Sequence, residues 1–600
     1  MKQLEVLLRE QIDTRYKWNL EDIYPTLDDW EKDYQLLSEK IPTLSKYEGT
    51  LGNGPEYLLE YLQLQTEVSH MYEKLVVYAK LLHDENTKDS HRQQIFQRLQ
   101  PLEIKFARAV AFFIPELLEL DSSTLESYYE MPELTFFKKY LDNILRMKPH
   151  QLSKIEENLL SQTSLLYSAD HTFTMLDNAD MTFDPVVTEE GETYPLTTAS
   201  FLGLMTSENR EVRKKAFKNT YKAYKNVINT IASTYLGNLK KDLFYSQVRK
   251  YPSTLERMLF ENDVTPKVYD NLVNTMKANQ PLMHRYISLR KKLLNLPELH
   301  MYDIYAPLVE NSKQEIPYEK SYDIMLDGLS ILGEEYVSIL KEARTNRWID
   351  VYPNDGKLSG AYQWGTYGVH PYVLLNHRDD LESLFTLAHE MGHALHSYYS
   401  DRENAYLYAQ YVIFVAEVAS TVNEVLLIHH LLRNTNDLDT KKHLLNYFME
   451  LFKSKMFRQT MFAEFEKIVH EKVQNEEPLT AQQFSDIYYQ LNQEYYGPEM
   501  THDDEIRYEW ARIPHFYRSF YVYQYATGFA AAIAIAKRIM DEGKPAVEDY
   551  LCFLKSGGTD SPIELLKIAG VDMASPKPIE DAMEVFNEVM NEFESLLLLK

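Results

Sequence analysis

Two histidines and a glutamate within residues 389–393 have the types and the spacing of a zinc site that carries its own base. His389 and His393 are four residues apart, so on a helix they share one face and can bind a single ion. Glu390 follows the first histidine and can accept a proton from a water that the ion activates. The segment therefore predicts metal-dependent hydrolysis.

A catalytic zinc centre needs a third protein ligand and keeps its fourth position open for water. The sequence predicts a helix over residues 412–432 that begins with an apolar stretch interrupted by Glu417. Because a carboxylate in such a stretch normally has a partner, Glu417 is the predicted third ligand. Glu424, two turns further along, is predicted to orient a ligand imidazole by hydrogen bonding. The alternative is that both acids are surface residues and that no metal binds.

The residues after His393 exclude the longer zinc motif of the metzincins. That motif has a glycine three residues after the second histidine and a third histidine three residues beyond the glycine. This chain has His396 and Tyr399 at those positions. We therefore expect His396 to be a packing or surface histidine rather than a ligand.

The ligands must be held by regular elements, and the sequence predicts mainly α-helices. The histidines fall on a predicted helix over residues 380–397, which begins near Asp379 with Glu382 in the position of a capping box. Apolar residues on this helix recur three or four positions apart and predict a buried stripe, made of Leu384, Leu387, Met391 and Leu395. Such a helix can hold the two imidazoles rigidly.

Two segments depart from the helical pattern. Residues 181–196 carry β-prone runs on either side of Glu190 and Gly191 and predict a β-hairpin. Residues 348–375 are interrupted by glycines and predict short strands and turns that lead into the histidine helix. A division near residue 200 follows, with an N-terminal helical lobe over residues 1–200 that ends in the hairpin and a catalytic domain over residues 201–600.

Charge and composition exclude several classes of partner. The net charge of −27 argues against nucleic acid, whose phosphates require lysines and arginines. Cys552 is the only cysteine, so no intrachain disulfide can form, as is typical of a reducing compartment. The first residues are too charged for a signal peptide, and the apolar residues 529–536 are too few to span a bilayer. We therefore expect a cytoplasmic protein with no membrane partner.

Several short motifs, in order along nearly the whole chain, resemble the thimet-oligopeptidase family of zinc metallopeptidases. The zinc-binding segment 389–393 is followed by residues 414–420, with the sequence Phe-Val-Ala-Glu-Val-Ala-Ser, and then by Glu424. Three further stretches resemble the oligoendopeptidase F branch of that family: Trp18-Asn19-Leu20-Glu21-Asp22-Ile23-Tyr24, Gly360-Ala361-Tyr362-Gln363-Trp364 and Ile513-Pro514-His515-Phe516-Tyr517. The motifs are jointly specific although each is short.

The resemblance implies a mainly α-helical, two-lobed body that encloses a deep substrate channel, with one zinc ion at its floor and small β elements beside the zinc-binding helix. It implies that His389, His393 and Glu417 bind the ion and that Glu390 is the base, in agreement with the spacing. It also implies cleavage of short, unstructured peptides.

The resemblance also implies roles for two further segments of this chain. The segment Gly360, Ala361 and Tyr362 corresponds to an edge strand that binds the substrate backbone, or it is an ordinary structural strand. The His/Tyr-rich residues 512–525 correspond to the segment that contacts the substrate and the developing oxyanion. Here the predicted catalytic donors are His515, Tyr521 and Tyr525, and the predicted substrate contacts are Tyr517 and Tyr523. Arg518-Ser519-Phe520 replaces the glycine-rich loop of mammalian relatives, and plain packing is the alternative for each tyrosine.

Four interpretations fit the sequence to different degrees. The leading prediction is a zinc endopeptidase for short peptides, with Glu390 as general base. A peptidyl-dipeptidase would need a cationic group placed to hold a free carboxylate, and the sequence reveals none. A catalytically silent peptide-binding protein would have no need for Glu390, and a helical scaffold with a chance motif would bind no metal. The oligomeric state stays open.

Overall fold

The computed structural model describes residues 7–309 and 315–598, and these residues are mainly helical. This confirms the predicted fold class. The α-helices of the described residues are α1 Leu27–Lys40, α2 Pro55–Asp84, α3 Ser90–Gln97, α4 Leu99–Val110, α5 Phe113–Glu119, α6 Ser122–Tyr128, α7 Pro132–Thr135, α8 Lys138–Leu145, α9 Lys154–Gln162, α10 Ala169–Met175, α11 Thr198–Met205, α12 Arg210–Asn226, α13 Ile228–Val248, α14 Thr254–Glu261, α15 Pro266–Ala278, α16 Gln280–Leu293, α17 Tyr318–Gly328, α18 Glu334–Thr345, α19 Leu381–Glu403, α20 Tyr406–Ala409, α21 Ile413–Asn434, α22 Leu438–Leu451, α23 Gln459–Gln474, α24 Ala481–Tyr496, α25 Tyr523–Glu542, α26 Lys544–Lys555, α27 Pro562–Ile568 and α28 Lys577–Leu597.

The strands in the described part of the chain are two or three residues long and form three small sheets. They are β1 Val186–Val187, β2 Thr193–Tyr194, β3 Leu299–His300, β4 Ile349–Asp350, β5 Tyr362–Trp364, β6 Tyr372–Leu374 and β7 Met500–Thr501. Strands β1 and β2 pair antiparallel, which confirms the hairpin predicted at residues 181–196. The order β4-β6-β5 places β5 at a sheet edge and confirms the strands predicted before the histidine helix. The third sheet pairs β3 with β7 in parallel.

Contacts divide the chain into two compact units that are not continuous in sequence. Unit 1 contains the described parts of Met1–Lys154, Gln314–Leu427 and Arg538–Asp560, and unit 2 contains those of Ile155–Lys313, Ile428–Lys537 and Ser561–Lys600. Unit 1 therefore combines α1 to α8 with the histidine helix and with α26 from late in the chain. The division predicted near residue 200 groups residues by sequence order and stays a prediction.

The histidine helix α19 begins one residue later than predicted. Asp380 is the N-cap, and its carboxylate accepts a hydrogen bond of 2.8 Å from the backbone N–H of Ser383. Asp379 instead has φ +58°, outside the helical range, so Glu382 is not in the capping-box position. The predicted stripe of Leu384, Leu387, Met391 and Leu395 is fully buried, and the helix continues to Glu403.

Helix α21 lies in unit 1 as far as Leu427 and contacts α19 through residues 417–424. Among the described residues it is the one helix whose length and apolar composition would suit a membrane span. Most of this apolar stretch is buried inside the protein, and it carries Glu417 and Glu424. Both features are typical of a core helix in a globular protein, where an all-round apolar helix is covered by its neighbours.

Candidate metal centre

The structure brings the three predicted metal ligands together in unit 1. Glu417 lies across from both imidazoles, with 3.7 Å from its Oε2 to Nε2 of His389 and 3.9 Å from its Oε1 to Nε2 of His393. The three ligand atoms lie within 4.8 Å of one another, and no other group of the described residues has this spacing. Tetrahedral zinc with ordinary bond lengths separates its ligand atoms by about 3.4 Å. The donor set and its spacing therefore fit zinc.

Glu424 binds the His389 ring at Nδ1, the nitrogen that does not face Glu417. Its Oε1 accepts a hydrogen bond from Nδ1 of His389, and its carboxylate is almost completely buried. An ionised carboxylate can only accept, so the proton of the His389 ring is on Nδ1. Nε2, which faces Glu417, then carries the lone pair that a metal needs.

Gly392 allows the two ligand helices to approach closely. A Cβ atom at this position would lie 2.5 Å from Cα and 2.8 Å from the backbone nitrogen of Ser420, and 2.7 Å from the carbonyl oxygen of Ala419. These atoms belong to the backbone of α21, so no side-chain rotation could relieve the overlap. The absence of a side chain in the middle of the motif thus sets the separation between Glu417 and the histidines.

Asn423 joins α21 to α19 and to α18 by hydrogen bonds. Its side-chain amide donates to the carbonyl oxygen of Ala388 at 3.1 Å, and its Oδ1 accepts from the Tyr336 hydroxyl at 2.9 Å. Asn423 is fully buried, so both bonds are shielded from water. Because Ala388 precedes His389, this contact fixes the axial register of α19 against α21.

Glu390 lies beside the ligands and has the properties of a base. Its side chain is buried, and burial raises the pKa of its carboxyl to about 7, with His389 opposing the shift and Glu417 and Glu424 adding to it. A carboxylate with a raised pKa takes up a proton more readily than an exposed one. The arrangement can therefore accept a proton next to the metal position.

A cavity of about 500 Å³ in unit 1 opens onto these residues. One wall is formed by α19 and α21 and another by the edge strand β5 and the residues around it. Its lining is Ala361, Tyr362, Gln363, Trp364, Gly365, Tyr367, Pro371, His389, Glu390, His393, Ser397, Asp401, Ala409, Gln410, Tyr411, Ala416 and Glu417. The lining of this cavity in the described part of the chain contains neither lysine nor arginine.

The predicted substrate-binding segment, residues 360–362, lines this cavity and a neighbouring one. Ala361 and Tyr362 line the cavity, whereas Gly360 lines a neighbouring one of about 260 Å³ that shares Ala361 with it. Gly360 has φ +87°, a backbone conformation that favours glycine. The Tyr362 hydroxyl donates to Asp84 at 2.7 Å, so its ring is anchored inside the unit while the strand lies at the sheet edge.

The three predicted catalytic donors form a cluster in unit 2. The rings of His515 and Tyr521 are stacked at 6.3 Å between centroids, and Tyr525 meets Tyr521 edge-on at 5.4 Å. His515 is exposed and both tyrosines are half-buried. The guanidinium of Arg518 lies 4.2 Å from the Tyr521 ring centre. The predicted donors are thus adjacent to one another on the surface of this unit.

A buried carboxyl holds the turn that carries this cluster. Phe520 has φ +56°, a strained backbone conformation for a residue with a side chain, and its N–H donates to Glu466 at 2.9 Å. The His470 ring packs on Phe520 at 4.5 Å between centroids. The turn at residues 518–520 is therefore anchored despite the lack of glycines.

The two other predicted tyrosines are engaged within unit 2. The hydroxyls of Tyr517 and Thr234 are 2.7 Å apart, and the Tyr517 ring stacks on Phe173 at 4.5 Å. Tyr523 is buried, with its ring 5.1 Å from that of Tyr269. Both placements favour packing as their main role, and substrate contact stays a prediction for them.

His396 is a packing residue, as expected. It is buried in unit 1 and stacks face to face on Tyr411 with 3.7 Å between ring centres. Burial lowers the pKa of its imidazole to about 3, so the ring is neutral. Tyr399 is buried as well.

Sequence reasoning missed the contributions of Gly392, Asn423 and Asp401. A glycine in the middle of a strongly helical segment indicates a close packing contact, and this signal was present in the sequence. A polar residue in the apolar stretch around Asn423 was a second signal, since a buried amide needs partners. The position of Asp401 in the cavity depends on how far α19 extends, which the sequence did not predict.

The sequence and the fold of this chain are similar to those of one group of known enzymes. Residues 203–585 match the model of peptidase family M3, and residues 116–183 match that of oligopeptidase F. Oligopeptidase PepF of Bacillus subtilis is 46% identical, with 98% of this chain and 88% of the relative covered. Group B oligopeptidase PepB of Streptococcus agalactiae is 39% identical, with 98% of both chains covered. The crystal structure of oligoendopeptidase-F from Enterococcus faecium has a TM-score of 0.75 at 36% identity, with coverage of 96% and 99%.

Proposed function

The chain belongs to peptidase family M3 and is a metallopeptidase, and from this premise we propose that it is a zinc-dependent endopeptidase that hydrolyses internal bonds of short, unstructured peptides. The observation that carries the proposal is the grouping of His389, His393 and Glu417 beside the buried Glu390 in one cavity. Two imidazoles and one carboxylate would hold one zinc ion per chain and leave a coordination position open.

When bound, zinc supplies Lewis acidity, which lowers the pKa of a coordinated water and polarises the scissile carbonyl. The residues of the chain then manage the protons. Glu390 accepts the proton of the attacking water and later delivers it to the leaving amine. Glu424 keeps the Nδ1 proton of His389 in place, so that Nε2 stays available throughout.

The edge strand β5 offers a binding site for peptides of many different sequences. An extended peptide can add to the open side of β5 through backbone hydrogen bonds, which do not depend on its side chains. We assign this contact to Gly360, Ala361 and Tyr362. His515, Tyr521 and Tyr525 remain the predicted donors to the substrate carbonyl, and Tyr517 and Tyr523 remain predicted contacts.

An internal cut is favoured over removal of C-terminal dipeptides. A peptidyl-dipeptidase must hold a free carboxylate with a cation. Among the described residues, the lining of the cavity that holds the metal ligands has no lysine or arginine, and Arg378 lines the neighbouring cavity of about 260 Å³ instead. The presence of Glu390 argues against a silent peptide-binding protein, because binding alone needs no base.

Mass-spectrometric identification of the products from N-acetylated, C-amidated peptides tests the proposal. An endopeptidase cuts these doubly blocked peptides at internal bonds. Failure to cut them, together with release of dipeptides from the same peptides with free C-termini, would establish the peptidyl-dipeptidase instead. No cleavage of either set by the zinc-loaded protein would leave the silent binder.

The remaining assignments follow from the same family membership. We propose a cytoplasmic enzyme whose partners are short peptides, with neither nucleic acid nor a membrane among them. The two family models match on either side of residues 184–202, which supports a division near residue 200 into an N-terminal helical lobe and a catalytic peptidase domain.

A further inference from the structure

The cavity beside the metal centre extends well beyond the catalytic residues along helix α19. Glu390, Ser397 and Asp401 all line it. At 100° per residue, the eleven residues from Glu390 to Asp401 return the helix to nearly the same direction, so the three side chains form one stripe. Asp401 follows His393 by eight residues, which corresponds to about 12 Å along the helix axis.

Asp401 has no compensating charge. In residues 7–309 and 315–598 it has neither an ion pair nor a hydrogen bond, and the one charged group that shifts its pKa is another carboxylate, Glu73. Glu73 in turn accepts from the backbone N–H of Tyr367 at 3.2 Å, a neutral donor. Burial, with Glu73 adding to it, raises the pKa of Asp401 to about 7. A carboxylate in this setting is stabilised by any cation that enters the cavity.

The surroundings of Asp401 suit an organic cation rather than a metal ion. Among the described residues, the one group of three or more side chains with metal-ligand spacing is the His389, His393 and Glu417 set, so Asp401 and Glu73 lack the third side-chain ligand of such a site. The other lining groups at this end are neutral: Ser397, Gln410 and Tyr411. The hydroxyls of Ser397 and Tyr411 lie 2.9 Å apart and form a polar wall beside Asp401.

Strand β5, the proposed binding edge for the peptide, borders the same cavity as this carboxylate. Strand β5 and Gly365 line the same cavity, and the Ser397 hydroxyl lies 3.3 Å from Oε1 of Gln363 on that strand. A peptide extended along β5 advances about 3.3 Å per residue, so about 12 Å corresponds to three or four residues. A lysine or arginine side chain can span part of that length itself.

We propose that Asp401 is a specificity-determining residue that selects peptides with a cationic group two to four residues from the cleaved bond. The cation is a lysine or arginine side chain or the free α-amino group of the peptide. The inference rests on the proposed endopeptidase function and names a preference of the same cavity.

The test uses the zinc-loaded enzyme and blocked peptides of one sequence that differ at a single position. Lysine is compared with norleucine at each of the second, third and fourth positions on both sides of the cleaved bond, and kcat/KM is measured for each pair. We expect the lysine peptide to be favoured at one position by at least about tenfold, the effect of one charge-assisted hydrogen bond. In Asp401→Asn this ratio should fall to near one at that position.

Two further variants separate local recognition from other effects. Glu403→Gln removes one negative charge from an exposed residue two positions further along α19 and should keep the wild-type ratio. Asp401→Lys should reverse the preference and favour glutamate over glutamine at the same position. This reversal cannot result from a loss of folded protein.

A third arm identifies the source of the cation. A peptide truncated so that its α-amino group falls at the preferred position is compared with its acetylated form. If wild type prefers the free amine and Asp401→Asn does not, Asp401 binds the peptide N-terminus. If wild type shows no preference for the free amine, Asp401 binds the lysine or arginine side chain alone.

The outcomes are distinct. Equal lysine-to-norleucine ratios in wild type and Asp401→Asn at every position, or an equal drop in Glu403→Gln, overturn the proposal while leaving the endopeptidase intact. If the wild-type enzyme cleaves none of the blocked peptides, the proposed function fails and this inference fails with it.

Discussion

Replacing Gly392 by alanine should damage the metal centre without touching a ligand. The new Cβ would lie 2.5 Å from Cα of Ser420, whereas ordinary van der Waals contact begins near 3.4 Å. Helices α19 and α21 would therefore have to separate by about 0.9 Å, because neither backbone can yield locally. Metal-ligand distances tolerate only about 0.2 Å, so Glu417 would move out of reach of the ion that the histidines hold.

Two measured quantities should change. Overpacking of this size costs about 1–3 kcal/mol, which should lower the free energy of unfolding of the metal-free protein by that amount. Displacement of Glu417 should weaken zinc binding by about 10- to 100-fold, the range found when the support of a ligand is lost. Chemical denaturation followed by circular dichroism measures the first, and competition with a fluorescent zinc chelator measures the second.

Gly203→Ala is the matched control. Gly203 also lies within a helix, α11, but an added Cβ there meets no atom within 4 Å. Alanine should raise the free energy of unfolding by about 0.5–1 kcal/mol through helix propensity and leave zinc affinity unchanged. If Gly392→Ala binds zinc as tightly as wild type, the close approach of the two helices does not set the ligand geometry and the reasoning is refuted.

Three other substitutions test separate parts of the site. Glu390→Gln should keep one zinc per chain but reduce kcat by about 10²- to 10⁴-fold, because only the base is lost; kcat near the wild-type value would exclude Glu390 as the base. Glu424→Ala should weaken zinc binding by about 10- to 100-fold in chelator competition, since His389 loses its orienting acceptor; unchanged affinity would remove that role. Asn423→Ala should lower the free energy of unfolding by about 1–3 kcal/mol in denaturant titration, because buried polar groups of Ala388 and Tyr336 lose their partner; a change no larger than that of the exposed Asn434→Ala would contradict it.

The grouping of His389, His393 and Glu417 was predictable because the ligand pattern of a zinc site is encoded in short spacings. The four-residue interval between His389 and His393 is fixed by the pitch of one helix, and the acids Glu417 and Glu424 stand out in an apolar stretch. Helix α19 was predicted with a start displaced by one residue, since Asp379 and Asp380 are both suitable caps. The left-handed backbone of Asp379, which selects Asp380, depends on how the preceding turn folds.

Features that depend on contacts between distant segments could not be predicted in this way. The pairing of α26 with α19 in unit 1 joins residues more than a hundred positions apart, and no local pattern indicates it. Tyr521, Tyr523 and Tyr525 recur at every second position of the sequence, yet Tyr523 alone is buried, because Tyr521 lies before α25 and the Tyr523 ring packs on Tyr269 from another part of the chain. Asp401 was likewise hidden until the full length of α19 was known.

Removal and return of the metal tests the central claim most directly. The protein is stripped with a chelator, and cleavage of a doubly blocked peptide and zinc content are followed together as zinc is added back. We predict that activity falls to the level of the uncatalysed reaction in the stripped protein and returns in proportion to zinc, reaching its maximum at one ion per chain. Full cleavage by protein with no measurable metal, or zinc that binds equally well to Glu417→Ala, would contradict the assignment.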